Sequence, residues 1–177
     1  MEKETFSQKI NRRLWSEIRN RLRGKAYLLS FRSYWHLILN KAQTKDNAEN
    51  DTCYFAARPN IYAGIGHQMA NWIAGLWFAR QFGLKYANIP FSTDRWDEFL
   101  GFGNDEIQYY DLIKQGYKVR RLPKFDENNI NEVNIIKRII ASYAGTKTIL
   151  LAIQDQFYGN QFGVMDDLKR KFRNAPA

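Results

Sequence analysis

The chain has few of the residues from which disulfide-bonded and metal-bound folds are built. It contains one cysteine, Cys53, so neither an internal disulfide nor a zinc site of several thiolates can form within it. Its two histidines, His36 and His67, are far apart in the sequence and do not form a metal-ligand pair. We therefore predict that the chain holds no metal site.

Long apolar runs are also missing. No stretch approaches the length of about 18 apolar residues that is typical of a helix crossing a bilayer. Acidic Glu2 and Glu4 lie at the start of the chain, and no short apolar core follows them, which argues against a secretory signal. We expect a cytoplasmic protein, and its basic N-terminal segment would suit a peripheral position at the inner face of the membrane.

Acidic residues are scarce in residues 1–41, which we name the arm. The arm holds ten Lys and Arg but three Asp and Glu, a net charge of +7 out of +9 for the 177 residues. Apolar residues recur every fourth position from Phe6 to Leu22, which predicts an amphipathic helix with basic residues on its other sides. An apolar, aromatic-rich segment follows from Tyr27 to Leu39.

The charge and periodicity of the arm are compatible with two roles. A basic amphipathic helix can bind an anionic membrane surface, and it can equally pack on its own domain or on a partner subunit. Nucleic acid is not an expected partner, because no nucleic-acid-binding motif accompanies the charge. His36 lies among apolar residues, so we predict that it is packed rather than a ligand. The polar segment 42–51 predicts a linker, so the domain is expected to span 52–177.

Strand and helix patterns alternate after the linker. The predicted strands are 52–57, 84–89, 118–122 and 148–153, and the predicted helices are 67–82, 93–100, 131–143 and 164–172. This alternation predicts an α/β, Rossmann-like domain with a parallel sheet of about four or more strands and covering helices. The helix 67–82 is apolar on all sides, so we expect it to contact the sheet and also a second partner. That partner would be the arm, another subunit or a domain absent from the chain.

The turn between the first strand and the first helix consists of Gly64, Ile65, Gly66, His67 and Gln68. In a parallel sheet such a turn lies at the carboxyl ends of the strands, where ligands bind. Glycines let a ligand approach the backbone closely, and a helix N-terminus attracts phosphate. The next residue is Met in place of the third glycine of a dinucleotide fingerprint, and no P-loop lysine follows. A tight connection without a ligand would contain the same short pattern.

This turn, the aromatic-rich helix after it, Gly83 and the strand 84–87 resemble the start of the fucosyltransferase superfamily. The resemblance covers about residues 52–100 and extends to the α-1,2-, α-1,6- and protein O-fucosyltransferase branches, although two branches usually have Asn where this chain has His67. The resemblance implies a GT-B glycosyltransferase of surface polysaccharide synthesis. Its donor would be a nucleotide sugar of the GDP-sugar type, and its acceptor would be a glycan. The resemblance also implies that the turn helps form the donor and acceptor site between two Rossmann-like domains.

The guanine-nucleotide half of that family carries a His-x-Arg-Arg-x-Asp motif, which this chain lacks. Arg120-Arg121 has neither the preceding His nor the following Asp. We therefore expect the chain to correspond to the N-terminal half of such an enzyme, with little transferase activity alone. The missing half would be a second domain or would come from a homo-oligomer. The alternative is a non-catalytic peripheral-membrane or partner-binding module on the same α/β scaffold.

Several polar residues near the predicted strand ends are further candidates. Inverting sugar transfer benefits from a general base at the acceptor hydroxyl, and the candidates are His67 and Asp94. In their alternative roles, Asp94 caps the predicted helix 93–100, and His67 packs or caps at the start of the predicted helix 67–82. Gln154 and Asp155 follow the last predicted strand and suit a hydroxyl-rich sugar, or form a simple turn. Trp96 would stack on a sugar or pack in the core.

Overall fold

The structure is a computed structural model that describes residues 10, 31–40, 53–60, 63–92, 96, 99–153, 161–173 and 175. Its strands are β1 (Cys53–Arg58), β2 (Lys85–Asn88), β3 (Ile107–Gln108), β4 (Lys118–Arg121) and β5 (Thr148–Ile153). Its helices are α1 (Phe31–Leu39), α2 (Ile65–Gln81), α3 (Tyr109–Lys114), α4 (Ile130–Ser142) and α5 (Met165–Arg173). A 3₁₀ turn at Gln161–Val164 precedes α5. Within these ranges, no helix is long and apolar enough to cross a membrane.

All five strands form one parallel sheet in the order β3-β2-β1-β5-β4. The central strand, β1, pairs with β5 along its whole length, from Cys53 opposite Thr148 to Arg58 opposite Ile153. Residues 53–57 of β1 are buried, as expected of a parallel strand covered on both faces. The predicted α/β, Rossmann-like fold is therefore confirmed.

The structure adds one strand and one helix to the predicted elements. The four predicted strands lie within one residue of their predicted bounds. β3 is only two residues long and half-exposed, so it produces no alternation of apolar and polar residues. Helix α3 follows it directly and is six residues long, too short for a recognisable apolar stripe. The predicted helix 93–100 lies largely outside the described residues.

Helix α2 lies directly on β1 because Gly75 has no side chain. A Cβ atom at Gly75 would collide with the Cβ atom of Ala57 and stand 3.0 Å from Cε2 of Tyr86. Trp72 and Phe78, on the same helix, are buried in the core beside this contact. The pair of small residues therefore determines how closely the helix approaches the sheet.

The second partner of α2 is the C-terminal part of the same chain. The ring of Trp77 packs directly on Gly163, where any Cβ atom would overlap it. Arg80 donates to the Gly163 carbonyl oxygen at 3.1 Å and forms an ion pair with Asp167 at 2.6 Å. The sequence suggested the arm, another subunit or an absent domain for this position, but the 3₁₀ turn and α5 occupy it.

The last turn of α5 is attached to the connection before β3. The ammonium group of Lys171, nearly inaccessible to solvent, lies 2.9 Å from a carboxylate oxygen of Glu106 and donates to the carbonyl oxygen of Asn104. The ring of Phe172 meets that of Phe102 edge to face, with centroids 5.9 Å apart. Both partners of this ion pair are satisfied, as a buried charge requires.

Helix α1 belongs to the predicted arm, and it packs on the domain. The Ser33 hydroxyl donates to the Arg121 carbonyl oxygen of β4 at 2.7 Å, and Leu37 joins the core. His36 stacks on Tyr143 with ring centroids 3.9 Å apart, so it is packed, as expected. Ile10 is helical and half-exposed, whereas the rest of the arm before α1 and the predicted linker 42–51 lie outside the described residues.

The hydrogen bonds around His36 determine its tautomer. The hydroxyl of Ser142 donates its only proton to the Ile139 carbonyl oxygen at 2.7 Å. It must therefore accept from Nδ1 of His36, which lies 3.1 Å away, so Nδ1 carries a proton. Burial, and then the nearby charge of Arg120, lower the pKa of His36.

We expect His36 to make the fold less stable in weak acid. With a lowered pKa in the folded state, the unfolded chain binds a proton more readily, so stability falls as the pH drops below about 6.5. Replacement of His36 by Gln should reduce this slope in urea unfolding measured between pH 7 and pH 5. The matched His67→Gln variant, altered at the other histidine, should keep it. Equal slopes in all three proteins would contradict the assignment.

Alanine at Gly75 should destabilise the protein, although alanine normally favours a helix over glycine. The added methyl group would overlap Ala57, and such overpacking costs about 1–3 kcal/mol. The same change at Gly66, in the first turn of α2, meets no atom within 4 Å and should raise stability by up to about 1 kcal/mol. Urea unfolding of both variants measures the difference. A stabilised Gly75→Ala protein would show that α2 does not lie directly on β1.

Candidate functional site

The connections after β1, β2 and β3 begin at one edge of the sheet. These three strands are parallel neighbours, so their carboxyl ends point the same way. We name this side the carboxyl edge. In open α/β sheets, ligands bind in the crevice outside the carboxyl ends of the strands. The predicted turn from Gly64 to Gln68 lies there, because it follows β1 and begins α2.

The backbone of this turn presents the start of a helix. Gly64 is the N-cap residue, with φ −62° and ψ 166°, and it has no side chain to cap the helix. Its carbonyl oxygen accepts the first intrahelical hydrogen bonds, from His67 N at 3.0 Å and Gln68 N at 3.3 Å. The N–H groups of Ile65 and Gly66 therefore precede the intrahelical ladder, at the positive end of the helix dipole.

The chain's own packing does not require glycine at either position of the turn. Neither Gly64 nor Gly66 has a positive φ, and a Cβ atom at either would meet no atom of the described residues within 4 Å. Both residues are exposed. The lack of a side chain at these two positions thus leaves open space in front of the N-terminus of α2, where another molecule can approach the backbone.

Gln68 holds the turn in place. Its side chain is 3% exposed, and Nε2 donates to the Ala63 carbonyl oxygen at 2.9 Å and to the Ser92 hydroxyl at 2.7 Å. Its Oε1 atom accepts from Ser92 N at 2.8 Å. Both ends of the amide are therefore engaged within the protein. Gln68 connects the turn after β1 to the segment after β2.

Asn71, one turn further along α2, has a similar role that the sequence analysis missed. Its Oδ1 atom accepts from Asn60 N, just beyond β1, at 3.1 Å, and its side chain is buried. The signal was available, because Gln68 and Asn71 are polar residues at a spacing of three in an otherwise apolar helix. Buried polar side chains are normally hydrogen-bonded, so this spacing marks the face that holds the loops.

The other predicted site residues are only partly placed. His67 is exposed in the first turn of α2, whereas the Ile65 side chain is half-buried against the core. Asp94, Gln154 and Asp155 lie outside the described residues. The described residues therefore do not test whether His67 and Asp94 lie together, and the choice between them as a base stays a prediction.

The ends of β2 and β3 are joined through side-chain amides. Asn88 is fully buried, and its Nδ2 atom approaches Oε1 of its strand partner Gln108 at 3.4 Å. Nε2 of Gln108 donates to the carbonyl oxygens of Gly103 at 2.9 Å and Glu106 at 3.0 Å. Among the described residues, the Oδ1 atom of Asn88 has no hydrogen-bond partner. A water molecule or a ligand hydroxyl would satisfy it.

Aromatic rings follow β2 and β3; Trp96, Phe99 and Tyr110 are exposed, and Tyr109 is half-buried. Trp96 and Phe99, on the connection from β2, are 41% and 59% exposed, with ring centroids 6.0 Å apart. Tyr109 and Tyr110 begin α3 directly after β3, and their centroids are 5.2 Å apart. The sequence indicated Trp96 but not the tyrosines, because their place at the carboxyl edge depends on the two-residue strand β3.

A cation, Arg58, lies at the same edge. Arg58 is exposed at the carboxyl end of β1. Burial first, and then the neighbouring Tyr110, raise the pKa of Tyr109, whereas the charge of Arg58 opposes this shift. The sequence analysis missed Arg58, since a strand-terminal arginine has no distinguishing pattern.

Among the residues that the structure describes, no three His, Cys, Asp or Glu side chains come together to hold a metal ion. Cys53 is fully buried in β1, and burial raises the pKa of its thiol to about 12. The thiolate, which is the reactive form, is therefore negligible at neutral pH.

We expect Gln68→Met to loosen the carboxyl edge. The variant keeps the side-chain volume but removes three hydrogen bonds, which should lower the free energy of unfolding by about 1–3 kcal/mol. Hydrogen exchange at the Ser92 amide, which loses its acceptor, should accelerate. The matched Gln81→Met variant, at the exposed opposite end of α2, should change neither quantity. Unchanged exchange at Ser92 in Gln68→Met would contradict the role given to Gln68.

No protein-family model matches the chain, and neither a curated protein nor a solved structure does. The resemblance to fucosyltransferases therefore depends on the turn, the helix after it and the following strand.

Proposed function

We propose that this chain is a fucosyltransferase-like glycosyltransferase domain of surface polysaccharide synthesis. It binds a nucleotide sugar, a GDP-sugar, and a glycan acceptor at the carboxyl edge of its sheet. The observation that carries this proposal is the turn from Gly64 to Gln68. Its two glycines leave the start of α2 open to another molecule, and the buried Gln68 side chain holds it at that edge.

The donor phosphates are the group that suits the turn. The N–H groups of Ile65 and Gly66, ahead of the intrahelical ladder, would donate to phosphate oxygens, and the positive helix end adds attraction. Arg58, exposed at the end of the same strand, supplies a guanidinium group, which forms paired hydrogen bonds with phosphate. A backbone site of this kind tolerates His67 in place of the family's usual Asn, since it uses main-chain groups.

The exposed aromatic rings suit the acceptor. A sugar ring presents an apolar face of C–H groups, which packs on a flat aromatic ring, and hydroxyl groups around its rim. Trp96 and Tyr110 are 41% and 55% exposed on the connections after β2 and β3, so their rings are available for such packing. Buried aromatic residues of the core, such as Trp72, are not available for packing on a sugar.

In the proposed reaction an acceptor hydroxyl attacks the anomeric carbon of the donor sugar. The new C–O bond forms as the bond to the nucleoside diphosphate breaks, and the leaving group departs with the electron pair. A base removes the proton from the attacking hydroxyl. His67, exposed in the turn, and Asp94 are the candidate bases. A second domain or subunit would supply the pocket for the guanine base, in line with the missing His-x-Arg-Arg-x-Asp motif.

Calorimetric titration of the full chain with GDP-fucose tests this proposal. We expect weak binding that falls at least about tenfold in Gly66→Val, because the branched side chain would fill the space in front of the helix N-terminus. Gln81→Val places the same side chain at the opposite end of α2 and should bind as the parent chain does. No binding to the parent chain, or equal binding to Gly66→Val, would contradict the proposal.

A further inference from the structure

The inward side of α1 is fixed by three contacts. Ser33 bonds to the backbone of β4, His36 stacks on Tyr143, and Leu37 is 7% exposed in the core. These residues fall on one side of the helix, since positions three and four apart share a face. The rotation of α1 about its own axis is therefore determined, and so is the side that faces away from the domain.

The outward side of α1 is largely apolar, with the exposed Arg32 beside the apolar residues. Trp35, Ile38 and Leu39 are 59%, 53% and 67% exposed, and their spacing of three and four residues makes them neighbours on one helix face. We name these three residues the outer face. A helix on a protein surface normally directs polar residues outward. A contiguous exposed apolar patch marks a site that binds a protein or a membrane.

Charge selects between these two occupants. The arm, of which α1 is the last part, holds ten Lys and Arg but three Asp and Glu. A second copy of the chain would carry the same net charge of +9 and be repelled. A membrane rich in anionic lipids would attract it. Tryptophan and aliphatic residues beside basic residues are the composition of helices that lie in the headgroup region.

We propose that the outer face of α1 inserts into the headgroup region of an anionic membrane. The basic residues of the arm supply the long-range attraction, and Trp35, Ile38 and Leu39 supply the apolar contact. The inward contacts of α1 remain in place during insertion, so the membrane holds the sheet domain in one orientation rather than on a loose tether. This proposal is independent of the sugar-nucleotide proposal, because it uses none of the residues at the carboxyl edge.

Sedimentation of the full chain with lipid vesicles tests the proposal. The chain should bind vesicles of mixed phosphatidylglycerol and phosphatidylcholine, and should bind pure phosphatidylcholine far less. Trp35→Gln and Leu39→Gln should each lower the bound fraction, and the double variant should reduce the partition coefficient at least about tenfold. Ile130→Gln is the matched control: Ile130 is 65% exposed on α4, and its variant should bind like the parent chain.

The folded state of each variant is checked by far-ultraviolet circular dichroism and thermal unfolding. Because Trp35 and Leu39 are exposed, the two single variants should unfold like the parent chain. If Trp35→Gln does not fold, vesicle binding by Leu39→Gln alone tests the proposal. Absence of binding to anionic vesicles would overturn the proposal, as would binding that the double variant leaves unchanged. A concentration-dependent dimer that the double variant abolishes, without vesicle binding, would assign the outer face to a second copy instead.

Discussion

The close contact between Gly75 of α2 and Ala57 of β1 is the constraint from which the rest of the fold follows. It places α2 against the central strand of the sheet, so that β1 is covered and the large rings of Trp72 and Phe78 fill the space on either side. The far side of the helix then accepts Gly163 and the C-terminal helix. A largely apolar helix is stable here because both of its sides are covered by the same chain.

The same contact determines where the turn lies. Since α2 is the first helix after β1 and packs back along that strand, Gly64 and Gly66 at its start lie at the carboxyl edge. The buried amides of Gln68 and Asn71 then fix the segments on both sides of the turn. The site is thus a backbone surface held from behind by buried polar groups, with exposed rings after the neighbouring strands.

Much of the fold could be predicted from the sequence, because buried parallel strands such as β5 are continuous apolar runs and the longer helices have clear apolar faces. Strand β3 could not be predicted, because two residues are too few to show a periodic pattern. Since Tyr109 and Tyr110 follow β3, their positions at the carboxyl edge could not be predicted either. The turn was recognisable from its two glycines. The role of Gln68 was not, because its partners Ala63 and Ser92 become neighbours only when β1 and β2 pair. The packing of α1 similarly depends on Tyr143 and β4, which are distant in the sequence.

The central claim is that the turn before α2 receives a sugar nucleotide through its backbone. Nuclear magnetic resonance of the ¹⁵N-labelled chain during titration with GDP-fucose tests it most directly, because each backbone amide reports separately. The account predicts the largest shifts at the amides of Ile65 and Gly66, with little change at the opposite end of α2. Shifts that are absent, or that occur only away from the turn, would contradict it.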